Sequence, residues 1–238
     1  MPLINKNVGL LPWISYTGDH KIYGTRRKGW IECYTDGTLT VPARFRSSCD
    51  LYLLSNGSNG TAYRYYSNGA QGDQFYWGEL RGDGGQGGTA MEYFAQQLSG
   101  DYQVAIGKIT TVGTTMTTAN GTIAGGKGGT GRKWEKFGEI VGSSTITDQP
   151  ATAGEDGRVP FTGHTPLTDG LAKYKLGAGG SGGAYNGQQA QYNPPYLHSN
   201  GQTVDPYPNT GAGGWGAEVN TQPAGNGATG IVIVRWGY

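Results

Sequence analysis

The sequence predicts an all-β fold, a β-sandwich-like framework that carries long glycine-rich segments. Glycine occupies 45 of 238 positions, and the chain also contains 16 Tyr, 6 Trp and 5 Phe, too many aromatic residues for a flexible linker. Short stretches rich in aromatic and β-branched residues recur along the chain and are bounded by Gly, Asn or Asp, as strands are. The glycines follow no Gly-X-Y period, which excludes collagen.

Several segments are predicted as strands. The stretch GWIECYTDGTLTVP at 29–42 alternates apolar and polar residues on both sides of an Asp-Gly pair, which predicts a hairpin. Further strands are predicted at 49–55, 62–67, 74–80 and 102–107. Only the segment 89–100 has a pattern compatible with a helix, and it is short.

The C-terminal stretch ATGIVIVRWGY at 228–238 predicts a buried, central strand over 230–236. Its four consecutive apolar residues leave too few polar positions for a strand that is covered on one side only. The chain therefore returns to a hydrophobic core after the glycine-rich segment 142–229. That text forms either long loops or stacked polyglycine-II-type runs, in which missing side chains let neighbouring backbones approach and hydrogen-bond. The sequence leaves both forms open.

Composition and spacing argue against several functions. A net charge of +1 and a charged fraction of 15% weigh against nucleic acid as the main partner. No apolar stretch has the length of a membrane span, and the first 16 residues lack the pattern of a signal peptide. The three histidines are far apart with no metal-ligand spacing, and no cofactor motif is complete.

The two cysteines, Cys33 and Cys49, permit two states. A disulfide across adjacent strands is one. Synthesis in the cytoplasm favours the other, two reduced and buried thiols.

The order of several motifs resembles a known family. The stretches TLTVP at 38–42, DLYLLSNGSNG at 50–60 and GDGGQGG at 82–88 are followed by YQVAIGKITTVG, by GGKGG and by the terminal GNGATGIVIVRW at 225–236. This order resembles the glycine-rich domain common at the C-termini of bacteriophage tail fibres and related receptor-binding proteins, over nearly the whole of 29–238. It is also similar to the glycine-rich tip adhesins of T-even-type phages.

The resemblance implies a non-catalytic adhesin of the virion's tail fibre, made in the host cytoplasm and extracellular after lysis. The resemblance makes 29–238 the receptor-binding domain. Residues 1–28 do not match the attachment segment of those tips; because they are poor in glycine and carry Pro2, Pro12 and scattered apolar residues, they are predicted as a docking segment for other tail or fibre proteins, outside the sheets. The implied partner is a polysaccharide or an outer-surface protein of the bacterial cell, with no nucleic acid and no membrane insertion. A small core per chain favours association, and a homotrimer is expected as in other tail fibres. The alternative is a single copy mounted on another fibre protein through residues 1–28.

Aromatic residues in Gly-, Pro- and Asn-rich text between 185 and 215 are the candidate receptor-binding residues. Rings with amides and carboxylates nearby suit sugar rings or the loops of surface proteins. The candidates are Tyr185, Tyr192, Tyr196, His198, Tyr207 and Trp215.

Two other functions remain open from the sequence. In a structural or assembly protein of the particle, the same aromatic residues would form subunit contacts. A polysaccharide depolymerase would need a pair of carboxylates in a groove, for which Glu155 with Asp156, or Asp73 with Glu79, are the candidates.

Overall fold

The part of the chain that this computed structural model describes comprises residues 13–45, 47–71, 74–139, 142–182, 206–217 and 223–238, and it contains fourteen strands. In chain order they are β1 (Ser15–Tyr16), β2 (His20–Gly24), β3 (Gly29–Cys33), β4 (Gly37–Val41), β5 (Cys49–Leu54), β6 (Arg64–Gln71), β7 (Gln74–Leu80), β8 (Ala90–Gln96), β9 (Gly100–Ala105), β10 (Thr111–Val112), β11 (Met116–Thr117), β12 (Lys133–Glu139), β13 (Ser144–Gln149) and β14 (Ile231–Trp236). They form three antiparallel sheets, which we name the central sheet (β2-β3-β14-β5-β8), the outer sheet (β1-β4-β9-β10-β11) and the tip sheet (β13-β12-β7-β6). The predicted all-β framework is confirmed.

Strand β14 is the middle strand of the central sheet. It pairs with β3 on one side and β5 on the other, and all six of its residues are buried. Val232, Val234 and Trp236 belong to the core between the central and outer sheets. Ile231 and Ile233 belong to a second cluster on the opposite face. Because both faces of β14 are covered, its sequence is almost continuously apolar.

The segment 159–176 covers that second face of the central sheet and contains a single 3-10 turn (Leu171–Lys173). Phe161, Leu167 and Leu176 are buried in one cluster with Tyr52 and Ile233. Apolar burial of this kind contributes roughly 1.5–3 kcal/mol for each large side chain. The glycine-rich segment 142–229 therefore includes a stretch that completes the core on the second face of the central sheet.

Two buried charged side chains fasten this segment to the sheet. Arg235, 2% exposed, donates through Nε to Asp50 at 2.9 Å and through Nη1 to the carbonyl oxygen of Thr165 at 2.9 Å. The fully buried Glu32 accepts hydrogen bonds from the backbone N–H groups of residues 171–172, at 3.1 and 2.9 Å. Arg235 is paired with the carboxylate of Asp50, and Glu32 also accepts a hydrogen bond from the hydroxyl of Tyr34 at 2.7 Å, so both buried charges are compensated.

The central and outer sheets pack together as a β-sandwich. Glu92 on β8 makes the stability of this sandwich depend on pH, and a Glu92→Gln variant should remove the dependence. Its carboxylate accepts a hydrogen bond from the N–H of Phe161 at 2.6 Å, and burial is the main cause that raises its pKa. A carboxyl group with a raised pKa contributes stability below its unfolded pKa, and this contribution is lost as the pH rises through the folded value. We therefore expect the wild type to lose stability relative to Glu92→Gln as the pH is raised over a range that begins near the usual glutamate pKa, about 4.3. Thermal unfolding of both proteins across this range measures the difference, and a constant difference would contradict the assignment.

Among the described residues, the glycine-rich segments form a bundle of seven extended runs, whose backbones bond to neighbouring runs at intervals of three residues. Runs 1 to 7 span 55–61, 81–89, 123–132, 152–158, 176–182, 210–217 and 223–230. In run 2, for example, Gly84 and Gly87 donate to the carbonyl oxygens of Gly129 and Gly126 in run 3, at 2.8 and 2.9 Å. Three residues per turn, with hydrogen bonds made between runs, is the polyglycine-II arrangement. Of the two forms that the sequence leaves open, the chain adopts stacked runs.

The bundle has two layers. Runs 1, 2 and 3 form one layer, and runs 7, 6, 5 and 4 form the other, in that spatial order. Each run of the first layer bonds to two runs of the second, as in close-packed rods. Runs 1, 3, 5 and 6 lead away from the sandwich, whereas runs 2, 4 and 7 lead back to it.

The runs contain many glycines because their backbones approach too closely for side chains, as Gly85 in run 2 illustrates. Its N–H donates to the carbonyl oxygen of Gly214 at 2.6 Å, and its own carbonyl oxygen accepts from the N–H of Gly180 at 2.7 Å. A Cβ atom at this position would lie 2.0 Å from the carbonyl oxygen of Ser58. The next residue, Gln86, is exposed. In run 2, the exposed positions Asp83 and Gln86 carry side chains, whereas the closely packed positions between them are glycines.

The predicted hairpin at 29–42 is wrong. Its two halves form β3 and β4, but β3 lies in the central sheet and β4 in the outer sheet. The Asp-Gly pair connects two strands that pack face to face, with Ile31 and Leu39 in the core between them. Alternating apolar residues indicate which side of a strand is buried, and they do not identify the strand beside it.

Two other expectations also need correction. The segment 89–100 contains strand β8 and no helix, because its backbone pairs with β5 at the edge of the central sheet. The expectation that 1–28 lies outside the sheets is wrong for its described part, since β1 and β2 lie in the outer and central sheets and Ile14 and Tyr16 are buried in the core. A docking role stays a prediction for residues 1–12, which lie outside the described residues.

Cys33 and Cys49 are free, buried thiols. They lie on β3 and β5, opposite Val232 and Trp236 of the intervening strand β14. Two strand spacings, about 10 Å, exceed the Cα separation that a disulfide permits. Burial raises the pKa of Cys49 to about 12 and raises that of Cys33 further, so both remain protonated. The cysteines act as core residues.

Candidate functional site

The tip sheet stands at the end of the bundle opposite the sandwich. Run 1 continues into β6, and β7 leads into run 2; run 3 continues into β12, and β13 leads towards run 4. The two hairpins join through β7 and β12, which pair over seven residues from Leu80–Lys133 outwards. A strand of seven residues extends about 23 Å.

One face of the tip sheet, which we name the Trp77 face, includes Tyr65, Trp77, Glu79, Trp134, Lys136, Ile146 and Asp148. Strand pairing places Trp134 opposite Glu79, beside Asp148 and diagonally from Trp77. The two indole rings have centroids 4.3 Å apart and planes inclined by 49°. Trp77 is 37% exposed and Tyr65 59%. Large aromatic surfaces therefore face solvent here.

Arginine and tyrosine side chains orient the two carboxylates of this face. Glu79 accepts hydrogen bonds from Nη2 of Arg81 and from the hydroxyl of Tyr63, both at 3.1 Å. Asp148 accepts from Nε and Nη2 of Arg132, at 2.9 and 2.7 Å. The hydrogen bonds from Arg132 lower the pKa of Asp148, so that this carboxylate is ionised at neutral pH. Two fixed acceptor groups thus flank the indoles.

The opposite side, the Phe137 face, presents Tyr76, Glu135 and Phe137. Phe137 is 49% exposed and contacts the ring of Tyr76, with centroids 6.4 Å apart. The Tyr76 hydroxyl donates to Glu135 at 2.8 Å, and Lys133 forms an ion pair with the same carboxylate at 3.0 Å. Both faces therefore carry exposed rings, but only the Trp77 face combines two indoles with two carboxylates.

The structure describes two of the six residues predicted as receptor-binding. Tyr185, Tyr192, Tyr196 and His198 lie outside the described residues. Tyr207 is 43% exposed and lies beside the sandwich, where it lines a cavity of about 380 Å³ that Lys21 and Tyr34 also line.

Trp215 lies in run 6 of the bundle, away from that cavity. A Cβ atom at Gly225 would lie 2.2 Å from its indole, so the ring packs directly on run 7. Its buried Nε1 has no hydrogen-bond partner among the described residues. Tyr207 and Trp215 therefore lie in different parts of the molecule. Trp215 is half-buried, and a receptor-binding role for both residues stays a prediction.

Sequence reasoning missed the Trp77 face as a site. The stretch QFYWGEL was recognised as a strand, but RKWEKFGE at 132–139 was not. The available signal was that, in RKWEKFGE, both alternate sets of positions combine an aromatic residue with charged residues. This pattern predicts a strand exposed on both faces, because neither set of side chains is suited to a core.

The carboxylates considered for a depolymerase form hydrogen bonds or ion pairs with other residues of the chain. Glu155 accepts from the backbone N–H of Lys127 at 3.1 Å, and Asp156 forms an ion pair with Lys175. Glu79 accepts a hydrogen bond from Arg81, and Asp73 lies outside the described residues.

An open cavity of about 740 Å³ lies beside β8. Glu92 is the one carboxylate among the described residues that line it, beside Phe94, Phe161 and His164. Glycoside hydrolysis with two protein carboxylates requires a second acidic residue across the substrate.

Within the described ranges, no group of three or more His, Cys, Asp or Glu side chains is arranged to hold a metal ion. Among the same residues, no helix has the length and apolar character needed to cross a membrane.

Comparison of the chain with protein-family models, with curated proteins and with solved structures finds no match.

Proposed function

We propose that this chain is a receptor-binding adhesin of a bacteriophage tail fibre or a phage-like particle, and that its tip sheet contacts the bacterial surface. The observation that carries the proposal is the position of the tip sheet. A bundle of hydrogen-bonded runs separates this aromatic sheet from the sandwich and presents it at one end of the molecule. The motif order that resembles the glycine-rich domain of tail fibres agrees with this function.

Exposure of apolar side chains supports a binding role for the tip sheet. Tyr65, Trp77, Phe137 and Ile146 have exposed fractions of 37–59%, and all four lie in this sheet. Exposed apolar surface on a soluble protein is typical of an interaction site. Rings held on paired strands lose little conformational entropy on binding.

Attachment to the particle is proposed for the opposite end. Ile14, which follows residues 1–12 closely in the chain, lies in the sandwich core, at the end of the bundle away from the tip sheet. Docking of residues 1–12 to another fibre protein would leave the tip free.

Multivalent attachment suits such a protein, and a homotrimer is proposed. Several weak sites on one particle bind one cell with an affinity far above that of a single site. Light scattering of the purified chain measures the assembly state, and a mass near 25 kDa would contradict a self-sufficient trimer.

Binding of the labelled protein to a panel of bacterial strains tests the function. We expect saturable binding to at least one strain, and we expect it to be lost when Tyr65, Trp77 and Phe137 are all replaced by serine. A matched variant replaces three exposed residues of the bundle, Asp83, Gln86 and Lys127, by alanine and should bind as the wild type does.

Two outcomes would contradict the proposal. An absence of saturable binding to every strain would favour an assembly protein of the particle. Release of soluble sugar from a bound strain would favour a depolymerase.

A further inference from the structure

If the chain is the adhesin proposed above, the two faces of its tip sheet are suited to different ligands. The Phe137 face has one strongly exposed ring beside a tyrosine whose hydroxyl is bonded to Glu135. The Trp77 face has two indoles in contact, inclined by 49°, so that they present two differently oriented aromatic surfaces. Indoles combine a large apolar face with a hydrogen-bonding edge, and they suit ligands of mixed apolar and polar character.

The carboxylates beside these indoles retain capacity to accept hydrogen bonds. An ionised carboxylate has about four acceptor sites on its two oxygens. The two hydrogen bonds from Arg132 to Asp148 use one site on each oxygen, and the bonds from Arg81 and Tyr63 to Glu79 do the same. Asp148 is 47% exposed and Glu79 24%. Fixed and solvent-accessible acceptors therefore stand next to the aromatic surface.

This combination matches a neutral, polyhydroxylated ligand. The carboxylates are paired with Arg81 and Arg132, and Lys136 lies opposite Trp77 on the same face. Because acidic and basic side chains are interspersed, the face gives little net attraction to a charged group. Hydroxyl groups donate to carboxylates in strong, charge-assisted hydrogen bonds. The C–H faces of a sugar ring supply the apolar contact that the indoles offer.

We propose that the Trp77 face binds a neutral saccharide of the bacterial envelope, with sugar rings against Trp77 and Trp134 and sugar hydroxyls donating to Glu79 and Asp148. The Phe137 face lies outside this site.

Selective treatment of the bacteria distinguishes a saccharide from a protein receptor. A strain that binds the wild-type chain is treated either with periodate, which cleaves the vicinal diols of sugars, or with proteinase K, which removes exposed protein. Binding is then measured by flow cytometry. We expect periodate to reduce binding at least about tenfold, which is the loss expected when the main contacts of an interface are removed. Proteinase K should leave binding within about twofold of that to untreated cells.

Variants of the two faces locate the site on the same untreated strain. Trp77→Ala and Trp134→Ala should each weaken the affinity about tenfold or more, whereas Phe137→Ala, the matched control on the opposite face, should stay within about twofold. Trp77→Phe keeps a flat ring in place and should retain most of the binding. It also separates loss of the contact from disturbance of the sheet.

Failure of this inference can be told from failure of the adhesin function. Binding that survives periodate and is lost with proteinase K would overturn the saccharide and leave the adhesin intact. Equal binding by wild type, Trp77→Ala and Trp134→Ala would overturn the placement on this face. An absence of wild-type binding to every strain would contradict the adhesin itself.

Discussion

Replacement of Gly85 by alanine should prevent the chain from folding. Gly85 is bonded to run 6 through its N–H and to run 5 through its carbonyl oxygen, and its Cα faces run 1. The added methyl group would lie 2.0 Å from a backbone oxygen, and no side-chain rotation can relieve this overlap. Relief requires that two runs move apart, which breaks hydrogen bonds in both layers. We expect a loss of more than about 3 kcal/mol, above the usual range for overpacking, which is a large fraction of the stability of a domain.

Gln86→Ala is the control for this prediction. Gln86 is the next residue of the same run, and its side chain is exposed. Substitutions at such positions usually change stability by less than about 0.5 kcal/mol. Thermal unfolding followed by circular dichroism measures both variants. A Gly85→Ala protein that unfolds at the same temperature as Gln86→Ala would show that the runs are not closely stacked.

Removal of residues 229–238 should also abolish folding. The truncation deletes β14, whose neighbours β3 and β5 would then be separated by an empty strand position. It takes five apolar side chains out of the two cores and leaves Glu32, Leu51 and their neighbours without backbone partners. Buried backbone groups without partners are rarely tolerated.

The matched control removes Tyr238 alone. This residue follows the strand and is 40% exposed. The shorter truncation should leave a soluble protein with a cooperative transition, whereas the longer one should give aggregated or unfolded chain. A cooperative transition after the longer truncation would contradict the central position of β14.

Local pattern was sufficient to predict the strands whose side chains alternate or are apolar throughout. Strands β5, β7 and β14 lie at or near their predicted positions. It was insufficient for strand neighbours, as the separation of β3 and β4 between two sheets shows. Pairing depends on contacts distant in sequence, to which neither half of the 29–42 stretch gives a clue.

The bundle was foreseen only as one of two possibilities, for a related reason. A glycine permits close approach, but the sequence around Gly85 does not identify runs 1, 5 and 6 as the neighbours that approach it. For the predicted receptor-binding residues, the density of aromatic residues in the sequence does not indicate how far each ring is exposed. Trp215 stands in the same kind of glycine-rich text as the other candidates, yet its ring packs on Gly225.

The repeat of three residues in the bundle restricts how the length of the chain can change during evolution. An insertion of one or two residues within run 2 would shift all later glycines of that run away from the oxygens that they now face. An insertion of three would preserve this phase and lengthen one run by a single turn, about 9 Å. The hairpins β6–β7 and β12–β13 begin and end outside the runs, so their lengths are free of this constraint. Lineages of this protein should therefore differ by triplets of residues inside the runs and by irregular numbers in the hairpins.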